Sequence, residues 1–292
     1  MSMSKYKMLL TVVEQGSLTK AAKILGCTQS AISHSLDNVE EELGFCVLYR
    51  SRGYIKLTAE GERIMPAVRN LLSSEEQLNQ TASSIRGLDA GTVRIGSFTS
   101  VAVHWLPGIL REFQTDYPNV EISLLNGDYS DVEQWLLDGS IDIGFVNIPC
   151  PLHCECHALK KDRMLAVLPK DSPYKSYVRF PLVECEKLPF ISLLESSDHD
   201  ARRALDAAGV KPNVRFYTKD DYAIMAMVEQ GLGMSLMPEL LLKNYKDKLL
   251  TMPVIPDYSR TIAMAVAAGD KAGPATRKFA DYVLRFVAEN SD

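Results

Sequence analysis

Thr28, Gln29, Ser30, Ala31, Ser33 and His34 put hydroxyl, amide and imidazole groups and one small methyl into a single short stretch. Carried on the first turns of a helix, these groups suit the major groove of duplex DNA. A glutamine pairs bidentately with adenine, worth about 1–3 kcal/mol of discrimination, and an alanine touches a thymine methyl. The plainer alternative for Gln29 and Ser30 is a capped, solvated turn. Ser17 and Lys20 lie one helix earlier, and Arg50, Arg52 and Lys56 follow. The last three cations suit phosphates or the minor groove, contacts that position a protein without specifying sequence.

A second set is hydroxyl-rich. Ser97, Thr99 and Ser100 lie between an apolar strand-like run and a helix expected to begin near Val103 or His104. Hydroxyls and free amides at a helix start suit a carboxylate or other anion, although capping alone would also use them. Asn126, Gly127, Asn147 and Ile148 end the next two strand-like runs, with Ser192, Thr218 and Gly231 as candidates further along. Asp128 beside them would instead favour an amine-bearing ligand.

Cys150, His153, Cys154, Cys156 and His157 crowd a third stretch and could hold a soft metal ion. Strand alternation, however, sends His153, Glu155 and His157 to one face and Cys154 and Cys156 to the other. The spacing also lacks the two-residue gaps of zinc sites. A structural role is expected, with a metal- or thiol-responsive signal as the alternative, and no metal or cofactor is assigned.

The elements that must position these groups can be read from spacing and caps. Tyr6, Leu9, Leu10 and Val13 form a helical stripe ended by Gly16. Ser17 caps a helix over 18–25 that Gly26 stops. Thr28 caps a third, with Ile32, Leu36, Val39 and Leu43 inward and Gly44 after it. Two helices back to back across Gly26-Cys27-Thr28 make a helix-turn-helix. Residues 47–50 and 54–57 form a ribbon, a wing. Thr58 then opens a helix to about Ile85 with Ile64, Val68, Leu71, Leu78, Ala82 and Ile85 on a near-heptad seam. Such a seam needs a partner helix, most simply its own copy. From Gly91 strands and helices alternate, predicting a mostly parallel α/β sheet in two lobes, joined near 148–162 and 266–270. In such sheets ligands bind beyond the carboxyl ends of strands.

The 292 residues are enough for two or three domains. With 46% hydrophobic and 24% charged residues the composition is that of an ordinary soluble chain, which excludes disorder and collagen-like repeats. No apolar run is long enough for a spanning helix and no secretory leader is evident, so a cytoplasmic location is expected. Net charge is −5, yet residues 1–66 carry eight basic against seven acidic side chains, three of the acids being Glu40-Glu41-Glu42. That leaves a locally basic face, as phosphate contact requires. Six cysteines in a cytosolic chain are expected to be reduced. No nucleophile–base motif, phosphate loop or dinucleotide fingerprint is present, so no catalysis is expected.

The chain resembles the LysR-type transcriptional regulators. The resemblance rests on Gly16-Ser17-Leu18-Thr19-Lys20-Ala21-Ala22-Lys23-Ile24-Leu25, Thr28-Gln29-Ser30-Ala31-Ile32-Ser33 and Val39-Glu40-Glu41-Glu42-Leu43-Gly44. It continues through Leu48-Tyr49-Arg50, Leu57-Thr58-Ala59-Glu60-Gly61, Thr92-Val93-Arg94-Ile95-Gly96 and Gly231-Leu232-Gly233-Met234. It implies a winged helix-turn-helix over 1–58, a dimerisation linker helix over 59–90 and a two-lobed effector-binding domain, like periplasmic binding proteins (type 2), over 91–292. Lobe I would comprise about 91–160 and 268–292, lobe II about 161–267. It further implies double-stranded promoter DNA, a small-molecule effector such as a carboxylate, a dimer of dimers and RNA polymerase as partners. His34 and Asp37 stand where many relatives carry a basic residue, and Ser30 where proline is common; Asp37 should therefore face away or pair with a cation. Residues 1–90 count against the other classes with this two-lobed fold, a solute-binding protein or an enzyme.

Overall fold

The computed structural model describes residues 5–51, 54–86, 90–150, 154, 156–194, 200–245, 247–267, 269 and 272–290. The amino-terminal part comprises α1 (Lys5–Gln15), α2 (Leu18–Leu25), α3 (Gln29–Leu43), β1 (Leu48–Ser51), β2 (Tyr54–Leu57) and α4 (Ala59–Ile85). The expected caps form. Ser17 Oγ accepts from the Lys20 amide and Thr28 Oγ1 from the Ala31 amide, while Gly26 and Gly44 take left-handed φ of 63° and 79°. Leu9, Val12, Ala21, Ile32, Leu36, Val39, Val47 and Met65 are buried together in one core. β1 and β2 pair antiparallel, Leu48 against Leu57 and Ser51 against Tyr54.

The seam of α4 divides. Ile64 and Val68 pack into this head, whereas Leu71, Leu78 and Ile85, spaced by sevens, are 52%, 68% and 82% exposed. The middle of α4 also rests on the next domain. Arg69 pairs with Asp138 at 3.1 Å, and Gln80 Nε2 donates to the Thr92 carbonyl at 2.9 Å.

That domain begins with β3 (Gly91–Ser97), α5 (Thr99–His104), α6 (Leu106–Asp116), β4 (Val120–Asn126), α7 (Tyr129–Leu137) and β5 (Ile143–Ile148). β4, β3 and β5 run parallel. The long β6 (Cys156–Pro169) then serves both lobes. Its first half pairs with β12 (Ser259–Val266), its second with β10 (Ser235–Pro238) and β11 (Leu249–Ile255), all antiparallel. The short β7 (Phe180–Pro181) adds to β11, and β8 (Phe190–Leu193) pairs with β9 (Val214–Thr218). Helices α8 (Asp200–Ala207) and α9 (Asp221–Glu229) cover the second lobe, and α10 (Pro274–Glu289) returns to the first. Alternation along β12 sends Ile262 and Met264 to one core of the first lobe, with Phe113, Phe145 and Phe279, and Ala263 and Ala265 to the other, with Val132 and Val146.

Three expectations are corrected. The helix expected near Val103 starts at Thr99; Phe98 precedes it and makes no side-chain cap, so no capping signal marks the start. The sheet is mixed: β12 runs antiparallel to β5 and β6, and β10 and β11 run antiparallel to β6, while β11 and β7 are parallel. Because β12 pairs with β5, residues 259–266 belong to the first lobe, and the return crossing falls before Ser259 rather than at 266–270. Strand β11 was not anticipated.

Candidate functional site: DNA-reading face and interlobe cleft

On α3 the apolar and polar faces separate cleanly. Ile32, Leu36 and Val39 are buried, while Gln29, Ser30, Ala31 and His34 are exposed and Ser33 is half-buried. Thr19 donates to Gln29 Oε1 at 3.4 Å across the turn, Thr28 and Ser30 share a 3.0 Å hydroxyl contact, and Asn38 and His34 meet at 3.1 Å. Ser17 is committed to its cap and Lys20 is exposed. Lys56 is exposed on β2, opposite Tyr49. Arg52 lies outside the described residues.

Arg50, expected on phosphates, is paired with two acids. Its Nη1 donates to Asp37 at 2.6 Å and its Nη2 to Glu40 at 2.5 Å. Asp37 therefore finds the cation expected for it. Glu40 Oε1 also accepts the Val47 and Leu48 amides at 2.7 and 3.0 Å. Glu40 thus joins α3 to the wing.

The second site lies where the lobes meet. Arg260, buried on β12, donates through Nε and Nη2 to Asp162 at 2.9 and 2.7 Å, through Nη2 to Ser100 at 2.7 Å and through Nη1 to the Tyr129 hydroxyl at 2.8 Å. Asp200, the first residue of α8, reaches the same centre. Its Oδ2 accepts from Tyr129 at 2.6 Å and Arg260 at 3.2 Å, and its Oδ1 from Asn147 Nδ2 at 2.9 Å. Burial depresses the Arg260 guanidinium, but Tyr129, Asp200 and Asp162 more than reverse this and hold it above its ordinary value. Burial, reinforced by Asp200, raises the Tyr129 phenol well above its own. Burial likewise raises the carboxyl of Asp221, which is bonded to Thr99.

A cavity of about 70 Å³ remains at this centre, lined by Phe98, Thr99, Ser100, Tyr129, Asp200 and Arg260 among others. A wider one of about 530 Å³ lies at the mouth, lined by Thr99, Asn126, Gly127, Asp128, Asp131, Leu194, Lys219 and Asp221. Of the candidates, Thr99, Ser100, Asn126 and Gly127 meet at these cavities. Ser97 is buried and donates to the Phe98 carbonyl. Asn147 is spent on Asp200 and on the Thr261 amide, and Ile148 is exposed at the end of β5. Ser192 lines a separate cavity beside Arg202, Thr218 accepts from the Asp220 amide, and Gly231 sits in an exposed turn after α9. Asp128 forms a reciprocal capping box with Asp131 as well as lining the mouth. Tyr129, Asp162, Asp200, Asp221 and Arg260 were not anticipated.

Of the third set, Cys150, Cys154 and Cys156 pack against Val132, Leu136 and Ala265, with the Cys154 and Cys156 sulfurs 3.7 Å apart. His153 and Glu155 lie outside the described residues, among which no group of three potential ligands could hold a metal ion. Burial raises Cys154, pushes the Cys156 thiol up to about 11 and Cys185 to about 12. Alkylation with iodoacetamide at pH 8 is therefore expected at exposed Cys46 first, with Cys156 and Cys185 slower by about 100-fold or more because little thiolate forms. Mass spectrometry of a time course checks this; Cys156 reacting as fast as Cys46 would restore the thiol-switch reading.

A winged helix-turn-helix head, a long helix and a two-lobed domain with a cleft define a DNA-binding regulator with an effector domain. The family profile described as bacterial regulatory helix-turn-helix protein, lysR family, matches residues 3–62, and the one described as LysR substrate binding domain matches residues 86–288. The chain belongs to the LysR-type transcriptional regulators. It is 28% identical over 282 residues to YvbU of Bacillus subtilis (strain 168), an uncharacterised HTH-type transcriptional regulator, covering 96% of each chain. It is also 28% identical over 289 residues to LrrA of Synechococcus elongatus, a probable HTH-type transcriptional regulator, covering 99% of this chain and 98% of that one. In fold it is similar to a single-substitution variant of full-length OxyR from Pseudomonas aeruginosa (TM-score 0.78, 18% identity, 98% and 95% covered) and to CbnR complexed with its target DNA (0.67, 22%, 97% and 98%). No helix among the described residues is long and apolar enough to cross a membrane.

Proposed function

We propose that α3 enters the major groove of promoter DNA with Thr28, Gln29, Ser30, Ala31, Ser33 and His34 toward the bases, while Ser17, Lys20 and Lys56 hold the backbone. Arg50 acts indirectly, through Asp37 and Glu40. A small-molecule effector bound between the lobes tunes this contact, and the protein performs no catalysis. The exposed seam of Leu71, Leu78 and Ile85 joins two copies through α4, with a pair of dimers as the working form in the cytoplasm and RNA polymerase as the downstream partner. The observation that carries the reading is the division of α3, whose Ile32, Leu36 and Val39 are buried while its first turns offer only small and polar groups to solvent.

A salt-dependent titration on the stretch upstream of the protein's own coding region tests it. Gln29→Ala is expected to lose about 1–3 kcal/mol of preference for that site over unrelated DNA. Lys56→Ala is expected to weaken binding on all sequences alike and to lower the salt slope by about one. Indifference to both substitutions would remove the reading.

A further inference from the structure

We propose that Asp200 is a tethered carboxylate occupying the anion-binding position of the interlobe cleft, and that a monocarboxylate effector acts by displacing it and releasing the second lobe. The proposal rests on the reading of this cleft as the effector site.

The geometry at Asp200 is that of a bound ligand. Both oxygens are engaged, by the Tyr129 hydroxyl, the Asn147 amide and the Arg260 guanidinium at 2.6, 2.9 and 3.2 Å. The three donors come from α7, β5 and β12, all in the first lobe's sheet or against it, while Asp200 comes from α8 in the second. Convergent donors of this kind are how a protein holds a carboxylate. Asp162 is not equivalent. It lies on β6, within the strands that join the lobes, and binds Arg260 and the Leu240 amide. Arg260 therefore keeps one permanent partner and has one that can be exchanged.

Space supports the same conclusion. With Asp200 seated, about 70 Å³ is left at the centre, far below the 300–1,000 Å³ usual for a metabolite site. The mouth offers about 530 Å³ and shares Thr99, Gly127, Asp128 and Asp221 with the centre, so the two are continuous. A ligand body fits the mouth while its carboxylate reaches the three donors only by replacing Asp200. Asp128, Asp131 and Asp221 face the mouth, with Lys219 as the only basic neighbour among the described residues of its lining. That surplus disfavours polyanions and selects one carboxylate. Because Asp200 ties the second lobe to the first, its release changes the lobe arrangement, and the bound and released states differ by the contacts this latch makes.

The test uses acetate as probe on the full chain, with chloride at equal ionic strength as control. Asp200→Ala empties the position. Its unfolding midpoint should fall below that of the wild type, and acetate should recover most of the loss in a saturable manner, with chloride ineffective. The wild type, whose own carboxylate competes, should need about tenfold more acetate or show no response. If Asp200→Ala does not fold, Asp200→Asn is read instead; its uncharged amide competes weakly, and a smaller saturable acetate response is expected. A folded variant indifferent to acetate overturns the latch. Operator affinity is measured in parallel and should change by about fivefold or more between wild type and Asp200→Ala. An acetate response without any change in operator affinity would mean that the carboxylate position exists and the cleft does not control DNA binding, which overturns the regulatory reading and leaves the failure attributable to the cleft.

Discussion

Arg260→Met is expected to cost the effector domain about 3–5 kcal/mol, the usual penalty for leaving a buried ionic partner unpaired. The side chain is 4% exposed and answers two carboxylates, Asp162 at 2% and Asp200 at 7%. It also lies over the Phe98 ring at 5.1 Å. Methionine can replace the packing on Phe98 but neither ion pair nor the bonds to Ser100 and Tyr129. Asp162 suffers most, because its other oxygen still holds the Leu240 amide and it cannot turn to solvent. Against a typical domain stability of about 5–15 kcal/mol, the variant sits near the edge of folding at physiological temperature. Denaturant unfolding should show the effector-domain transition shifted while the head, with its separate core, unfolds as before. Adding Asp162→Asn and Asp200→Asn removes the stranded charges and should recover more than half of the loss. An unchanged midpoint for Arg260→Met alone would mean that the network carries no net stability.

That network is not legible in the sequence, whereas the head is. Ser17, Gly26, Thr28 and Gly44 mark helix ends through interactions within a few residues, so local pattern suffices. The bounds of α4 follow in the same way from Thr58 and the seam after it. Arg260 is separated from Asp162 by 98 positions and from Asp200 by 60. A charged residue beside a turn reads as exposed, and only the pairing of β12 with β6 brings Arg260 to the cleft. Asn147 can be found as a strand end facing the cleft, but its commitment to Asp200 depends on the other lobe. The extent of the first lobe escapes local reading for a related reason. Ser259–Val266 has the apolar alternation of any strand, and nothing local says which sheet it joins. Phe98 offers no capping side chain, so the start of α5 carries no mark and the hydroxyls after it read as a loop.

Glu40→Ala is expected to weaken DNA binding on every sequence and to destabilise the head by about 3 kcal/mol, the scale set by two buried amides losing their acceptor. Val47 and Leu48 are buried, so their amides have no water to turn to, and one carboxylate oxygen accepts both at 2.7 and 3.0 Å. On the carbonyl side, the Thr58 amide and hydroxyl hold the Val47 oxygen at 3.0 and 3.2 Å, and Gly61 packs so close that an added Cβ would lie 2.2 Å from that oxygen. The strand is thus held on its carbonyl side by Thr58 at the start of α4 and, among the described residues, on its amide side by Glu40. Each buried amide left without a partner costs about 1–3 kcal/mol, and Arg50 loses the better buried of its two acids. The wing then has no fixed angle to α3, so phosphate and base contacts fail together. This separates Glu40→Ala from Gln29→Ala, which should leave stability intact and lose sequence preference. Glu40→Gln keeps an oxygen for the amides but loses the charge facing Arg50, and should fall between wild type and alanine in both assays. Thermal unfolding of the head, read beside titrations on specific and unrelated DNA, distinguishes these outcomes. A Glu40→Ala protein with wild-type stability would show that the wing is held by Thr58 and the β1–β2 pairing without the acid.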